Sequence, residues 1–340
     1  MKPYLLRHLS GEVSGRPPVW MMRQAGRYLA SYQAIRQGRT FWEMATNPEI
    51  AAKVSLLPLH EFPVDAIIFF ADILSLPYGM GVKIEMKESV GPYLENPLTP
   101  SDFAFFQNYD PTFHTGFVGK TLNSIRASLD PEIALIGFAG APWTVASYLI
   151  EGKGSKQYLK ILGSLFNSRS QFEMALKHLA KATTQYLQYQ CEQGAQIVQL
   201  FDTWASEMPA AFFSEFYVDL LNEIFDGMAA KGIPVIYFAK HAHHLHEHFP
   251  RLRADVISVD SLRTMTEIDV ELGGKFSLQG NLDPVLLKTA SAEQVGQRAR
   301  DLIRELQSLS KPSILNLGHG IFPETPVENV RALVMAGRDL

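Results

Sequence analysis

Two arginines four residues apart follow an apolar run near the start of the chain. The run 18–22 has strand character and stops at Arg23, and Arg27 comes four residues later. Between the two arginines lie Gln24, Ala25 and Gly26. Glycine lets the backbone approach a ligand closely, and each guanidinium group can hold a carboxylate through two parallel hydrogen bonds. The segment therefore predicts a site for a ligand with several carboxylates; the alternative is a helix start with two solvated arginines.

The composition is that of an ordinary globular protein with a slight excess of acidic residues. The 340 residues are 46% hydrophobic and 19% charged, and the formal net charge is -4. Because no basic run is present, we expect no nucleic-acid partner, and an anionic ligand must be attracted by a local cluster. The single cysteine, Cys191, excludes an intramolecular disulfide and an all-cysteine metal site. No segment resembles a signal peptide or a membrane span, so we expect a cytoplasmic protein without a membrane partner.

Short apolar runs alternate with longer amphipathic stretches along the whole chain. The predicted strands are 17–22, 65–70, 133–138, 196–201, 234–238, 255–259, 275–279 and 313–317. The predicted helices include 48–60, 112–129, 171–193, 210–231, 292–309 and 327–337. This alternation predicts parallel strands with right-handed crossovers, and hence an α/β fold with one (β/α)8 TIM-type barrel over residues 1–340. An open doubly wound sheet is the alternative, but its glycine-rich fingerprint is absent after the first strand. Residues 77–100 are poor in helix signals and predict a hairpin or loop beside the barrel.

Polar residues follow the predicted strands at the end where a barrel carries its active site. They are Arg23 and Arg27 after the first strand, Asp72 after the second, Tyr148 in the helix after the third, Thr203 after the fourth and His319 after the eighth. Asp72 and Thr203 could instead cap helices, and Tyr148 could be a core aromatic residue. His319 lies between two glycines, which favours an exposed functional ring. The coincidence of all these residues at one rim favours a functional site.

The segment 18–28 resembles the N-terminal signature of the uroporphyrinogen decarboxylase family. The blocks 67–74, 137–144, 199–204, 279–284 and 316–320 resemble further blocks of that family in their usual order, so the resemblance runs from about Arg16 to the C-terminus. It implies a β/α barrel, usually dimeric, that needs no metal or organic cofactor. It also implies an enzyme that removes the four acetate carboxylates of uroporphyrinogen III as CO2 to give coproporphyrinogen III, in tetrapyrrole (haem) biosynthesis.

The resemblance places the substrate-contacting positions at 23–27, Asp72, Tyr148, Thr203 and His319. Protonation of a pyrrole carbon would create the electron sink that the acetate lacks, and Asp72 would stabilise the resulting positive charge. Arg23 and Arg27 would bind carboxylates, and one of them would position the proton transfer. Arginine has a pKa above about 12 and releases a proton reluctantly, so the identity of the proton donor stays open.

Two segments depart from the family pattern. A glycine-containing loop is usual after the fifth strand, but 240–248 is rich in histidine, and a Gly-Leu-Asp-Trp block is usual after the sixth, where 258–261 reads Ser-Val-Asp-Ser. On an α-helix, His241, His244 and His248 would share a face compatible with metal ligation, although a solvated helix is the favoured interpretation. The rival functions are a zinc-dependent corrinoid/thiol methyltransferase of the same superfamily, whose cysteine ligands are missing here, and a non-catalytic tetrapyrrole-binding protein.

Overall fold

A curled parallel sheet organises the chain in this computed structural model, which describes residues 2–88 and 90–338. The strands are β1 (Ala66–Ile68), β2 (Glu85–Lys87), β3 (Gly91–Tyr93), β4 (Ala134–Gly140), β5 (Ile197–Asp202), β6 (Val235–Ala239), β7 (Val256–Ser258), β8 (Ser277–Leu282) and β9 (Ile314–Leu317). Seven of them form one sheet in the order β1-β4-β5-β6-β7-β8-β9, and every neighbouring pair is parallel. The predicted α/β fold with parallel strands is confirmed.

The extended segment around Val19 closes the barrel between β9 and β1. Val19 forms an isolated parallel bridge with Leu315 in β9. On its other side the Val19 carbonyl accepts a hydrogen bond from Asp65 N (2.8 Å), and Val19 N donates to Asp65 Oδ2 (2.8 Å). The Asp65 carboxylate is also held by both terminal nitrogens of Arg16, at 2.6 and 2.7 Å. The predicted first strand is therefore a short bridge, and a buried carboxylate fixes it at the start of the segment that carries Arg23.

Helices cover the outside of this sheet. The α-helices are Tyr4–Leu9, Ala30–Arg36, Phe41–Ala45, Pro48–Glu61, Ser75–Gly79, Pro111–Ser128, Pro142–Glu151, Leu159–Asn167, Arg169–Glu192, Ala210–Phe212, Val218–Ala229, Met265–Glu271, Pro284–Thr289, Ala292–Gln307 and Val327–Ala336. The six helices predicted from sequence agree with these bounds within two residues, except that a π-helical turn, Phe213–Tyr217, interrupts the one predicted at 210–231. Short 3-10 helices occur at Pro100–Asn108, Ala205–Glu207 and His243–Arg251. Among the described residues, no helix is both long enough and apolar enough to cross a membrane.

The segment 77–100 contains an antiparallel hairpin apart from the barrel. Strands β2 and β3 form a separate two-stranded sheet, with Glu85 opposite Tyr93 and Lys87 opposite Gly91, and Tyr93 also forms an isolated antiparallel bridge with Lys153. This agrees with the hairpin that the sequence predicts there. The helix Ser75–Gly79 comes directly before it and overlaps the start of the predicted loop.

The histidine-rich segment is not the solvated α-helix that the sequence predicts. It forms the 3-10 helix His243–Arg251, whose turn of three residues places His243 and His246 on the same face. His246 is buried and donates from Nδ1 to Glu271 Oε2 (3.1 Å), whereas His244 donates from Nε2 to the Met208 carbonyl (3.0 Å). The shared face of residues 241, 244 and 248 therefore does not form. No group of three or more His, Cys, Asp or Glu side chains suited to a metal occurs in residues 2–88 and 90–338.

A layer of buried polar side chains spans the barrel interior. Gln279 donates from Nε2 to Gln199 Oε1 (3.0 Å) and to Ser258 Oγ (2.9 Å), and its Oε1 accepts from Trp20 Nε1 (2.9 Å). Gln199 in β5 and Gln279 in β8 are not on neighbouring strands, so their contact shows that both side chains point inward. Because alternate residues of a strand share a face, Phe201, two positions after Gln199 in β5, also points into the barrel.

Candidate active site

A belt of aromatic rings lines the barrel interior at the carboxyl ends of the strands. Ring centroids are 4.9 Å apart for Phe69 and Phe138, 5.7 Å for Phe138 and Phe201, and 5.9 Å for Phe201 and Phe238. Phe238 stacks on the His319 imidazole at 6.0 Å, with 11° between the ring planes. These residues come from β4, β5 and β6 and from the segments after β1 and β9. The belt gives the mouth of the barrel an apolar wall beneath its polar rim.

The segment 23–27 projects Arg23 over this wall. Arg23 has a left-handed backbone with φ of 62° and an exposed side chain that forms no ion pair in the described part of the chain. Its side chain passes so close to Gly320 that a Cβ atom there would lie 2.4 Å from Arg23 Cδ. The backbone strain and the close approach are features that functional sites retain because the fold holds them in place.

The Gln24 side chain is held by the backbone, although the sequence places Gln24 among the substrate-binding positions. Its side chain is fully buried, where Oε1 accepts from Met21 N (3.1 Å) and Nε2 donates to the Ala66 carbonyl (3.1 Å). Both polar ends of the side chain are therefore used by the backbone. Sequence spacing could not show this, because it does not say which side chain of a loop turns inward.

The other residues of this segment offer backbone and side-chain donors. The N–H groups of Ala25, Gly26 and Arg27 donate no hydrogen bond to the described residues, and Arg27 has an exposed side chain. Successive free N–H groups form a concave site for an anion, and a nearby guanidinium group strengthens it. The chemistry predicted for this segment, which is binding of carboxylates, is consistent with this geometry.

Asp72 lies on the same rim, just after β1. Its Oδ1 accepts from Leu74 N (2.9 Å), and its own N–H donates to Ser75 Oγ (3.1 Å). The capping alternative is wrong, because the helix Ser75–Gly79 has Leu74 as its N-cap and no side-chain cap, and Asp72 Oδ1 instead closes the turn before it. Oδ2 receives no hydrogen bond from the described residues. Burial raises the pKa of Asp72, and the Leu74 N–H and the charge of Arg23 oppose that rise.

Tyr148 stands near Asp72 and Arg23 on the helix Pro142–Glu151. Burial, together with the negative charge of Asp72, raises the pKa of Tyr148 to about 12, so its hydroxyl keeps its proton and can donate. Its ring lies 5.9 Å from that of Trp204. Trp204 in turn is fixed by its backbone, because its N–H donates to Thr144 Oγ1 (3.0 Å) and its carbonyl accepts from Trp143 Nε1 (2.9 Å).

Thr203 is positioned by a buried carboxylate at the end of β5. Asp202 accepts hydrogen bonds from the hydroxyls of Thr144 (2.7 Å), Tyr217 (3.0 Å) and Tyr237 (2.9 Å), and burial raises its pKa to about 6 against these donors. Thr203 itself is half-buried, and its hydroxyl makes no hydrogen bond within the described ranges. The following 3-10 helix has no side-chain cap, so the capping interpretation of Thr203 is wrong.

His319 presents a neutral imidazole to the site. Burial lowers its pKa to about 3, and the positive charges of Arg23, Lys240 and His241 add to this effect. Its Nδ1 is buried and has no hydrogen-bond partner among residues 2–88 and 90–338. A neutral ring with one free nitrogen can donate or accept a hydrogen bond, as its tautomer requires.

Sequence reasoning missed the aromatic belt and Lys240. Each phenylalanine of the belt stands at or just past the end of an apolar run, so the repeat of Phe at successive strand ends was the available signal. Lys240 directly follows β6, where the histidines beside it dominate the sequence pattern. Burial lowers the pKa of Lys240, and the charge of Arg23 lowers it further, while Asp260 acts in the opposite direction.

The sequence profile described as "Uroporphyrinogen decarboxylase (URO-D)" matches residues 2–340. The chain belongs to the uroporphyrinogen decarboxylase family. A relative from Prochlorococcus marinus named uroporphyrinogen decarboxylase is 35% identical over 342 residues, which cover 99% of this chain and 97% of the relative. A relative of the same name from a Synechococcus species is 37% identical, covering 96% of this chain and 94% of the relative. The family identified from the motifs is confirmed.

Two solved structures support the barrel fold. A methyltransferase from Methanosarcina mazei matches with a TM-score of 0.82 at 21% identity, covering 98% of this chain and 97% of that one. A B12-independent methionine synthase from Shewanella matches with a TM-score of 0.59 at 10% identity, covering 96% and 98% of the two chains. At these identities the likeness concerns the fold alone.

Proposed function

We propose that this protein decarboxylates uroporphyrinogen III, converting its four acetate side chains to methyl groups and giving coproporphyrinogen III. The observation that carries the proposal is the rim above the aromatic belt, where the partly buried Asp72 carboxylate stands near the unpaired Arg23 guanidinium. Membership of the uroporphyrinogen decarboxylase family over residues 2–340 supports the same reaction. The acetates, rather than the propionates, are the proposed reacting groups.

The rim suits a macrocycle with carboxylates around its edge. The apolar faces of the macrocycle would contact the phenylalanine belt, and its side-chain carboxylates would reach Arg23, Arg27 and the free N–H groups of residues 25–27. Tyr148, Thr203 and His319 would add hydrogen bonds. Arginine holds a carboxylate through two parallel bonds, so these contacts fix orientation as well as charge.

The reaction requires a place for the electrons that the departing carboxylate leaves behind. A proton adds to a pyrrole ring carbon, the bond to the carboxylate breaks, and its electron pair enters the cationic ring as CO2 leaves. The exocyclic carbon then takes a proton to become a methyl group, and the ring loses the proton that it first gained. Each turnover thus consumes one proton per acetate.

Asp72 would act on the positive charge in this sequence. Its Oδ2, which no described residue occupies, would accept hydrogen bonds from the pyrrole N–H groups and stabilise the cationic ring as it forms. Arg23 or Arg27 would position the proton transfer beside it. Because the pyrrole ring itself serves as the electron sink, the proposed scheme needs no metal or organic cofactor.

The test is anaerobic incubation of the purified protein with uroporphyrinogen III in the presence of a metal chelator. Chromatography of the oxidised products counts the carboxylates that remain. We expect stepwise loss from eight carboxylates to four. Folded protein that binds the substrate but releases no CO2 would contradict the proposal and favour a tetrapyrrole-binding protein. Activity that disappears with the chelator and returns with zinc would contradict the cofactor-independent scheme.

The assembly and location of the protein are further parts of the proposal. We propose that the whole chain acts as one catalytic domain, that it forms a homodimer, and that it works in the cytoplasm without a nucleic-acid partner. Family resemblance supports the dimer. Sedimentation at micromolar concentration would test it, and a monomer under those conditions would contradict it.

A further inference from the structure

Lys240 directly follows β6 at the mouth of the barrel. Phe238, two residues earlier, points inward, because its ring packs against Phe201 and stacks on His319. Tyr237, one residue before Phe238, packs on Phe225 of an outer helix and so faces the other way. Lys240 lies in the turn one residue past β6, and its charge acts on both Arg23 and His319, so it stands beside them beyond the aromatic belt. The ammonium group therefore belongs to the polar rim of the candidate site.

The carboxylate nearest to Lys240 is already engaged by other groups. Asp260 accepts from His241 N (2.7 Å) through Oδ2 and from Leu262 N (3.0 Å) through Oδ1, and His243 Nε2 lies 3.4 Å from Oδ1. Lys240 forms no ion pair and donates no side-chain hydrogen bond in the part of the chain that the structure describes. Asp260 is thus committed to holding two loops together, and its charge opposes the lowering of the Lys240 pKa without outweighing burial and Arg23.

Among the lysines that the structure describes, Lys240 alone combines partial burial with the lack of a partner. Within the described ranges, Lys240 and Lys288 are the half-buried lysines, and the others are exposed. Lys288 has a partner, since its Nζ lies 2.9 Å from Glu324 Oε2. A half-buried ammonium group without an anion is unfavourable, because burial removes water and no opposite charge replaces it. The arrangement is explained if the missing anion is a ligand.

The surroundings indicate the charge of that ligand. Burial and the positive charge of Arg23 both lower the pKa of Lys240, and Lys240 contributes to the lowered pKa of His319. Two cations that repel each other across a partly dry site are both stabilised when a carboxylate enters between them. The neutral His319, with its unpartnered Nδ1, offers a hydrogen bond at the same place.

We propose that Lys240 is a substrate-binding residue that, together with Arg23, holds one side-chain carboxylate of the tetrapyrrole. This inference rests on the proposed function, because it takes the polycarboxylate macrocycle as the ligand. It assigns a role to the segment after β6, where the chain departs from the family pattern. It also places a second cation opposite the arginine segment, so that carboxylates are held from two sides of the barrel mouth.

The test compares three variants with the wild type. Lys240→Met removes the charge and keeps most of the side-chain volume, and Lys240→Arg restores a cation. Lys311→Met is the matched control, because Lys311 is exposed and precedes β9 at the opposite end of the barrel. For each protein we would measure the KM and kcat for uroporphyrinogen III and the melting temperature without ligand.

We expect Lys240→Met to raise KM about 10- to 100-fold, as loss of one charge-assisted contact does, with a much smaller change in kcat. Lys240→Arg should recover most of the affinity, and Lys311→Met should behave as the wild type. The melting temperature of Lys240→Met should be equal to or higher than that of the wild type, because the unpaired charge is gone. If Lys240 were merely structural, its replacement would instead lower the melting temperature.

An unchanged KM in Lys240→Met would overturn the inference. So would a lower melting temperature in Lys240→Met together with a loss of affinity in Lys240→Arg as large as that in Lys240→Met. Failure of the proposed function is a separate outcome, since it appears as no turnover by the wild type. In that case the readout is the affinity for oxidised uroporphyrin, measured by the quenching of its fluorescence, in place of KM. Equal binding by the wild type and Lys240→Met, or no binding by either, would then refute the role of Lys240.

Discussion

Replacing Asp72 with asparagine isolates the charge of this carboxylate from its structural role. Its Oδ1 accepts the Leu74 N–H at 2.9 Å, and an asparagine Oδ1 can accept the same bond. The bond from Asp72 N to Ser75 Oγ does not involve the side chain of residue 72. The variant therefore keeps the turn. Because burial raises the pKa of Asp72, the fold disfavours its ionised form, and the free energy of unfolding at pH 7 should stay the same or rise in Asp72→Asn.

The expected loss of activity follows from the position of the charge. Asp72 is partly buried, so an effective dielectric constant of about 20 is appropriate, and a unit charge about 4 Å from a cationic ring contributes about 4 kcal/mol. Asparagine keeps a dipole that recovers part of this. We therefore expect kcat to fall about 100- to 1000-fold, measured as CO2 released from uroporphyrinogen III at saturating substrate. KM should change far less, because the charge of the ring appears mainly in the transition state.

Asp110→Asn is the matched control for this experiment. Asp110 also accepts a backbone N–H, from Phe113 at 3.0 Å, but it caps the exposed start of the helix Pro111–Ser128 on the outside of the barrel. Its replacement should leave kcat unchanged. If Asp72→Asn retained near-normal kcat, or if both variants lost activity equally, the charge-stabilising role of Asp72 would be refuted.

Three further variants examine the groups around Asp72. Arg23→Lys should lower kcat/KM about 10- to 100-fold in steady-state assays, because the two-pronged contact is lost while the charge remains, and unchanged kinetics would contradict that geometry. Gly320→Ala places a Cβ atom 2.4 Å from Arg23 Cδ and should lower kcat/KM at least about tenfold, whereas Gly116→Ala, whose added Cβ has nothing within 4 Å, should not. Equal kcat/KM values for the two variants would show that the position of Arg23 is not required for activity. His319 is neutral in the fold, with a pKa of about 3, but binds a proton below about pH 6.5 when unfolded, so acid destabilises the wild type. Between pH 6.5 and 5.5, the free energy of unfolding of His319→Gln should fall by about 1 kcal/mol less than that of the wild type in denaturant titrations. An unchanged pH dependence would contradict a buried neutral ring.

The barrel could be predicted from the sequence because parallel strands buried on both faces leave a strong pattern. Runs such as 133–138 and 234–238 are continuous and apolar, and β4 and β6 appear there within two residues. The rule that barrels carry function at the carboxyl ends of strands then placed Asp72, Tyr148 and His319 at one rim without knowledge of any interatomic distance. The strand predictions are confirmed because they depend on chain order and period, which a sequence contains directly, whereas the roles of the site residues stay predictions.

The remaining features depend on contacts between distant residues. Gln24 turns inward because Met21 N and the Ala66 carbonyl meet beside it, and the latter lies on another strand. The histidine segment becomes a 3-10 helix because His246 pairs with Glu271 on a later helix. Periodicity carries no information about such partners. The importance of Lys240 likewise arises from what Asp260 already binds, which no local pattern expresses.

The two ends of the barrel use their charges in opposite ways. At the amino end, Arg16 and Arg338 both contact the Asp65 carboxylate, and this buried arrangement fixes the segment that closes the sheet. At the carboxyl end, Arg23 and Lys240 form no ion pair in the described part of the chain. A protein with a net charge of -4 thus places the exposed Arg23 and the half-buried Lys240, which form no ion pair in the described ranges, at the mouth of the barrel. Because the two cations repel each other, they destabilise the free protein. A polyanionic substrate removes this repulsion when it binds, so relief of the repulsion adds to the binding free energy.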